Sequence, residues 1–203
     1  MTIKNSFFDY KRIFFDGWSN FYDVTFTTIF YQAIHQRLLE YVTLPPKSLI
    51  LDLGCGTGKL LNRIGDKFPD IKAIGGDLSS QMLRQARKGN RHHPRFIFTV
   101  ANASQLPFAN HQFDAIFNTI SFLHYPNPEI VFQEIARVLK PQGYFYLADY
   151  LGNNNNNNLP FTPGGIRFYN QETREKLGEK VGLIVVNHYY LFSGVVLTIF
   201  KVN

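Results

Sequence analysis

The chain has 203 residues, of which 45% are apolar, 18% charged and 16% aromatic, and a formal net charge of +6. This composition excludes a disordered chain, and the length suits one domain with a substantial core. A single cysteine, Cys55, excludes an internal disulfide and a thiolate cluster for zinc.

In chain order, residues 1–18, "MTIKNSFFDYKRIFFDGW", are interrupted by Lys4, Asp9, Lys11, Arg12 and Asp16, so no signal peptide is expected. With the lone cysteine this points to a reducing, cytoplasmic setting. Phe14 to Val42 carries Trp18, Phe21, Tyr22, Phe26, Phe30 and Tyr31 ahead of the first strand. Such aromatics either pack a helix onto the domain or line an apolar pocket, and the core use is the more ordinary one.

Ser48 to Leu53, "SLILDL", is an apolar run before glycines and reads as a buried strand. "GKLLNRIGDKF" has helical spacing at Leu60, Leu61 and Ile64. Lys72 to Asp77 is a second strand, and Ser79 is an N-cap candidate for a helix reaching Lys88. Arg95 to Val100 and Gln112 to Ile120 follow as strands. Ile130, Val131, Ile135, Val138 and Leu139 mark a helix expected to run to Pro141, and Gly143 to Tyr150 is a strand. Gly152 to Asn158 is an Asn-rich, low-complexity stretch expected to be a loop. Asn170 to Gly182 reads as a helix, and Leu183 to Phe200 as two strands joined at Ser193-Gly194. Asn187, His188, Ser193 and Gly194 argue against a membrane-spanning helix there.

Strand and helix alternate, so the expected fold is α/β: a doubly wound, mainly parallel seven-stranded sheet with one antiparallel strand near the C-terminus. In such a sheet the ligand crevice lies beyond the carboxyl ends of the strands, where their order reverses. Gly54, Gly56 and Gly58 fall at the first such end. A dinucleotide fingerprint would place its third glycine at Lys59, and Asp52 would repel a pyrophosphate. Both features argue against a nicotinamide-dependent oxidoreductase and for a small cation without phosphate, of which S-adenosylmethionine is the best fit. Asp77, at the end of the second strand, can accept both ribose hydroxyls of an adenosine. Leu78 and Met82 can flank the adenine ring with apolar surface.

With "LDLGCGTG", "GGDLSSQML", "NASQLPF", "FDAIFNT" and "EIARVLKPQGYF" in that order, the chain resembles a class I S-adenosylmethionine-dependent methyltransferase of the small-molecule, type 11-like kind. The resemblance runs from about Leu49 to Asp149. It implies a single Rossmann-like methyltransferase domain over 1–203, with an N-terminal helical lid segment (1–47), a cofactor-binding core (48–150) and a C-terminal helix and strand pair (151–203). It also implies roles for the matching residues. Gly54 and Gly56 would approach the methionine part, with Asp52 organising the loop and reaching the amino group. Asp77 would hold the ribose, and Leu78 and Met82 the adenine. Asn102 would address the adenine amino group and Ala103 a ring nitrogen through its N–H. The family usually has Asp at position 102, and Asn keeps the acceptor but loses charge assistance. Asn118 would lie near the methionine end and the incoming substrate.

The implied reaction is in-line displacement at the sulfonium methyl, which needs placement of the nucleophile and no metal. His124, in the loop after the fourth strand, is the candidate general base. Asp149 either reaches the pocket or binds loop backbone. His188 reads as structural and His111, in a polar turn, as solvated. "NTIS" at Asn118 to Ser121 differs from the NPPY-type run of nucleic-acid amino methylation, which disfavours that acceptor and leaves a small, apolar or aromatic molecule. An RNA-directed methyltransferase, suggested by the basic stretch Arg84 to Arg95, and a cofactor-binding protein without turnover are the alternatives.

Overall fold

In the computed structural model, which describes residues 25–152, 158–159 and 166–203, strands and helices alternate as the periodicities require. The elements are α1 (Thr25–Leu39), β1 (Leu49–Leu53), α2 (Lys59–Lys67), β2 (Lys72–Asp77), α3 (Ser80–Lys88), β3 (Phe96–Val100) and β4 (Phe113–Thr119). A 3-10 turn (Phe122–His124), α4 (Pro128–Val138), β5 (Leu139–Tyr150), α5 (Gln171–Glu179), β6 (Leu183–Phe192) and β7 (Val195–Val202) complete the fold. A two-residue ladder pairs Asn158 with Arg167 and Leu159 with Ile166. Trp18, Phe21, Tyr22 and residues 153–157 of the Asn-rich stretch lie outside the described residues, as does the side chain of Phe26.

One seven-stranded sheet has the order β3-β2-β1-β4-β5-β7-β6. The chain winds outward from β1 through β2 to β3, then returns to place β4 and β5 on the other side of β1. The reversal point lies between β1 and β4, which pair in parallel with Asp52 beside Phe117. β7 runs antiparallel to both of its neighbours. The cause is local. Ser193 and Gly194 both have positive φ, 46° and 84°, and a two-residue reversal of this kind leaves no room for a helical crossover.

Side chains of each strand alternate between two cores. Ile50, Phe117 and Tyr146 point to the face covered by α1, α2 and α3, where Ile34, Leu61 and Leu83 are buried. Leu51, Ile116 and Phe145 point to the other face, against Phe132 and Ile135 of α4 and Leu177 of α5. Much of the aromatic surplus is spent here, with Phe96, Phe113, Phe117, Phe122, Phe132, Phe145 and Phe200 buried. Among the described residues no helix is long and apolar enough to cross a membrane.

Helix starts follow their caps. Ser79 Oγ accepts the amide hydrogen of Met82 at 3.2 Å, and Asn170 Oδ1 that of Thr173 at 2.8 Å. One boundary differs from the sequence expectation: α4 ends at Val138, not Pro141. The proline ring would strike the carbonyl of Arg137 and disfavours a helical Lys140, so Leu139 is already extended at φ −72° and ψ 140°. β5 therefore begins early, and a register shift between Phe113 and Ala115 absorbs the extra residues.

Arg174 of α5 is buried at 1% exposure beneath the ends of β5 and β7. It donates to the carbonyls of Asp149 and Tyr150, each at 2.9 Å, to that of Val196 at 3.0 Å, and to Thr198 Oγ1 at 3.3 Å. Removing the guanidinium strips donors from three carbonyls at once. Arg174→Met is therefore expected to lower the unfolding free energy by about 3 kcal/mol in urea titration. A change below about 0.5 kcal/mol would show that these carbonyls find other donors.

Candidate cofactor site at the end of the first strand

The loop between β1 and α2 is built on hydrogen bonds to the neighbouring strand end. The amides of Gly54 and Cys55 donate to the Gly76 carbonyl at 2.7 and 3.1 Å. The Gly56 amide donates to Asp77 Oδ2 at 2.8 Å. Gly54 has φ +74°, and a Cβ there would lie 2.1 Å from Ser121 Oγ, so only glycine lets the loop after β4 close against it. Gly56 has φ +51° and nothing within 4 Å of where its Cβ would be, which leaves its backbone open to a ligand. Cys55 is buried between them.

Two carboxylates border this loop. Asp77 spends one lone pair of each oxygen on backbone, Oδ2 on Gly56 and Oδ1 on the Ser79 amide at 2.8 Å. Asp52 is buried at 2% exposure, and its Oδ2 has no hydrogen-bond partner. Burial, and then the charge of Asp77, push its pKa from the ordinary 3.8 up to about 8.

A third group stands at the end of β4. Asn118 is fully buried, and its Nδ2 donates to the Leu53 carbonyl at 2.8 Å across the strand reversal. The same nitrogen lies 2.9 Å from Ser121 Oγ and 2.9 Å from the Tyr125 hydroxyl, while Asn118 Oδ1 has no partner. Ser121 Oγ and the Tyr125 hydroxyl are 2.8 Å apart. Burial pushes the Tyr125 phenol well above its ordinary value.

The remaining residues singled out in the sequence fall as follows. Leu78 is half-buried, and Met82 is buried at 3% exposure on the first turn of α3. The Ala101 amide donates to the Asp77 carbonyl at 3.0 Å, which sets Asn102 and Ala103 beside the end of β2. Asn102 Oδ1 accepts the Ser104 amide at 2.9 Å. His124 ends the 3-10 turn, with its amide donating to the Ser121 carbonyl at 3.0 Å and its Nδ1 shielded from solvent. Asp149 takes the second of its two readings. Its Oδ2 accepts the Leu123 amide at 3.0 Å and its Oδ1 the Tyr150 amide at 2.8 Å, so it holds the turn that carries His124. Burial raises its pKa to about 6 against the opposing charge of Arg174. His188 bonds Thr198 and Glu175, and His111 the Leu139 carbonyl, so both are structural. In the basic stretch, Arg87 donates to the Phe98 carbonyl, Arg91 pairs with Asp66, and Arg95 donates to the Ile71 carbonyl.

Ser121, Tyr125 and Arg174 carry geometry that the sequence reading did not assign. Tyr125 adjoins the His124 that was singled out, but the signal for it is spatial: its partners are Asn118 on β4 and Ser121 just after it, and its hydroxyl borders Gly54.

Residues 50–143 match the sequence family described as "Methyltransferase domain". The chain is 33% identical over 117 residues to a malonyl-[acyl-carrier protein] O-methyltransferase of Marinomonas sp., covering 57% of this chain and 43% of that protein. It is 35% identical over 101 residues to a fatty-acid O-methyltransferase of Mycolicibacterium smegmatis, covering 49% of this chain and 36% of that one. The chain thus spans less than half the length of these curated relatives. Among solved structures, a methyltransferase of Haloferax volcanii in complex with the Trm112 activator superposes with TM-score 0.81 at 21% identity, covering 93% of this chain and 97% of that one. A geranyl diphosphate methyltransferase solved with GPP and sinefungin superposes with TM-score 0.73 at 16% identity, covering 85% and 77%. Both share the fold.

The buried Asp52 carboxyl has a measurable consequence. Between about pH 4 and about pH 8 the folded chain holds its proton while the unfolded chain has lost it. The stability this group contributes is therefore full below about pH 4 and falls as pH rises to about 8. Urea unfolding across that range is expected to show a shallower pH slope for Asp52→Asn than for the parent. Identical slopes would contradict the assignment.

Proposed function

We propose that this chain, whose residues 50–143 match a methyltransferase domain, is a class I S-adenosylmethionine-dependent methyltransferase and transfers the sulfonium methyl to a small apolar or aromatic acceptor. The observation that carries the reading is the pair of buried acceptor oxygens, Asp52 Oδ2 and Asn118 Oδ1, at the two strand ends flanking the glycine loop. Neither finds a donor among the described residues. A ligand bringing an ammonium and a sulfonium supplies hydrogens to Asn118 Oδ1 and a positive charge that draws the buried Asp52 carboxyl toward its ionised form, while a pyrophosphate would meet the charge of Asp77.

Bound S-adenosylmethionine supplies a methyl group on positively charged sulfur, open to in-line attack. The chain supplies placement. In this proposal Gly54 and Gly56 let the methionine part lie on bare backbone, with Asp52 and Asn118 at its amino end. Asp77, held at the end of β2, takes the ribose hydroxyls. Leu78 and Met82 flank the adenine, and Asn102 and Ala103 meet its edge. Orientation of this kind can lower a barrier by about 7–11 kcal/mol. His124 takes the proton when the acceptor carries one.

The acceptor class rests on aromatic surface at the same end of the sheet. Tyr150, the last residue of β5, stacks on Phe30 of α1 with centroids 6.3 Å apart and an interplanar angle of 9°. Phe192 lies 5.9 Å from Phe30, and Phe168 6.2 Å from Tyr150. The contacts of Phe30 with Tyr150 and Phe192 support reading the N-terminal segment (1–47), the core (48–150) and the C-terminal part (151–203) as one domain. Relatives named for malonyl and fatty-acid O-methylation make an acyl carboxyl one candidate within the class. Three arginines of the basic stretch, Arg87, Arg91 and Arg95, are engaged with backbone or Asp66, which favours a small molecule over RNA. A cytoplasmic setting completes the proposal, supported by the lone buried thiol.

Incubation with S-adenosylmethionine and a panel of fatty acids, phenols and quinones is expected to give one product bearing an added methyl by mass spectrometry. Binding without turnover across such a panel would favour the cofactor-binding alternative. With the acceptor in hand, His124→Gln is expected to slow turnover by about 10²-fold while leaving S-adenosylhomocysteine affinity unchanged. Unaltered turnover would remove His124 from the mechanism.

A further inference from the structure

The three polar groups at the end of β4 have a countable set of hydrogens. Asn118 Nδ2 carries two, and the hydroxyls of Ser121 and Tyr125 carry one each. The Leu53 carbonyl can only accept, so at 2.8 Å it fixes the amide orientation and takes one Asn118 hydrogen. The other goes to Tyr125 or to Ser121, both at 2.9 Å. In either assignment that places every hydrogen within the cluster, Tyr125 donates to Ser121 at 2.8 Å. Ser121 then donates to the second lone pair of Leu53 at a longer 3.5 Å. The hydrogens are thus consumed inward. What the cluster presents outward is electron pairs: one on the Tyr125 oxygen and the unpartnered Oδ1 of Asn118.

The location fits a cation. The Tyr125 hydroxyl lies 3.2 Å from where a Cβ on Gly54 would stand, so it borders the bare backbone of the cofactor loop. Burial pushes the phenol further above its ordinary value, and the charges of Asp77 and Asp149 act in the same direction. The phenol is therefore a neutral oxygen bordering Gly54, with its hydrogen turned toward Ser121.

We propose that Tyr125 contacts the sulfonium centre of the methyl donor, its phenolic oxygen facing the polarised S–CH3 group, and that this contact distinguishes the charged donor from the neutral thioether product. The inference rests on the cofactor reading above and adds to it a catalytic residue outside the glycine loop. The methyl hydrogens on a positively charged sulfur are acidic enough to make C–H···O contacts. After transfer the sulfur is neutral and the contact is lost, which favours product release.

The test needs no methyl acceptor. Calorimetric titration of the whole chain and of Tyr125→Phe with S-adenosylmethionine and with S-adenosylhomocysteine gives four affinities. Tyr125→Phe is expected to weaken S-adenosylmethionine about two- to five-fold and to change S-adenosylhomocysteine by less than about 1.5-fold. Ser121→Ala removes the acceptor that turns the phenolic hydrogen inward. It is expected to lower the same preference, and it carries the test if Tyr125→Phe fails to fold. Equal losses for both ligands, or no loss for either, overturn the role of Tyr125 while leaving the cofactor reading intact. A parent chain that binds neither ligand overturns both.

Discussion

Asn118 donates an amide hydrogen to the Leu53 carbonyl at 2.8 Å, and this bond joins the ends of β4 and β1 where the winding of the sheet reverses. Much else follows from it. It sets the amide so that Oδ1 is buried without a partner, and it brings Ser121 and Tyr125 over Gly54. It also explains why position 54 must lack a side chain. The loop after β4 is held a second time from β5, where Asp149 accepts the Leu123 amide and Arg174 secures the Asp149 carbonyl. The turn carrying His124 is thus fixed from two strands, each by a buried polar group.

Such a site costs stability. A buried acceptor without a donor forfeits about 1–3 kcal/mol, and a carboxyl held protonated by burial adds to the penalty as pH rises. Two well-filled cores on either face of the sheet offset it. Departures from polar satisfaction tend to gather where a ligand completes the structure. Here Asn118 Oδ1 is a pure acceptor, and the carboxyl of Asp52 becomes one when it ionises. In the proposed reading this favours a positively charged ligand.

The winding was legible because it depends on short-range signals. Alternating apolar runs and helical spacings define the strands and helices, and Ser193-Gly194 alone dictates that β7 turns antiparallel. Ser79 announced its cap in the same way. The glycine loop and its two carboxylates were legible as a motif. The end of α4 was misplaced by three residues because the effect of Pro141 reaches back into the preceding turn. Arg174 was opaque for a different reason. Within "NQETREKLGEK" it looks like one more exposed helix charge, and only the packing of α5 over β7 buries it against carbonyls of Asp149 and Val196. Ser121 and Tyr125 depend on Gly54 and Leu53, well over sixty positions earlier. No local pattern encodes such a pairing. Asp149 had two readings in the sequence, and the structure decided between them only because the Leu123 amide lies within reach.

The account turns on the sign of charge that the crevice accepts. Parallel calorimetric titrations with S-adenosylmethionine and with NADH, at one pH and ionic strength, probe it most directly. The arrangement of Asp52, Asp77 and Asn118 requires that the sulfonium nucleoside bind and that the dinucleotide give no heat. Tight NADH binding with none by S-adenosylmethionine would contradict it.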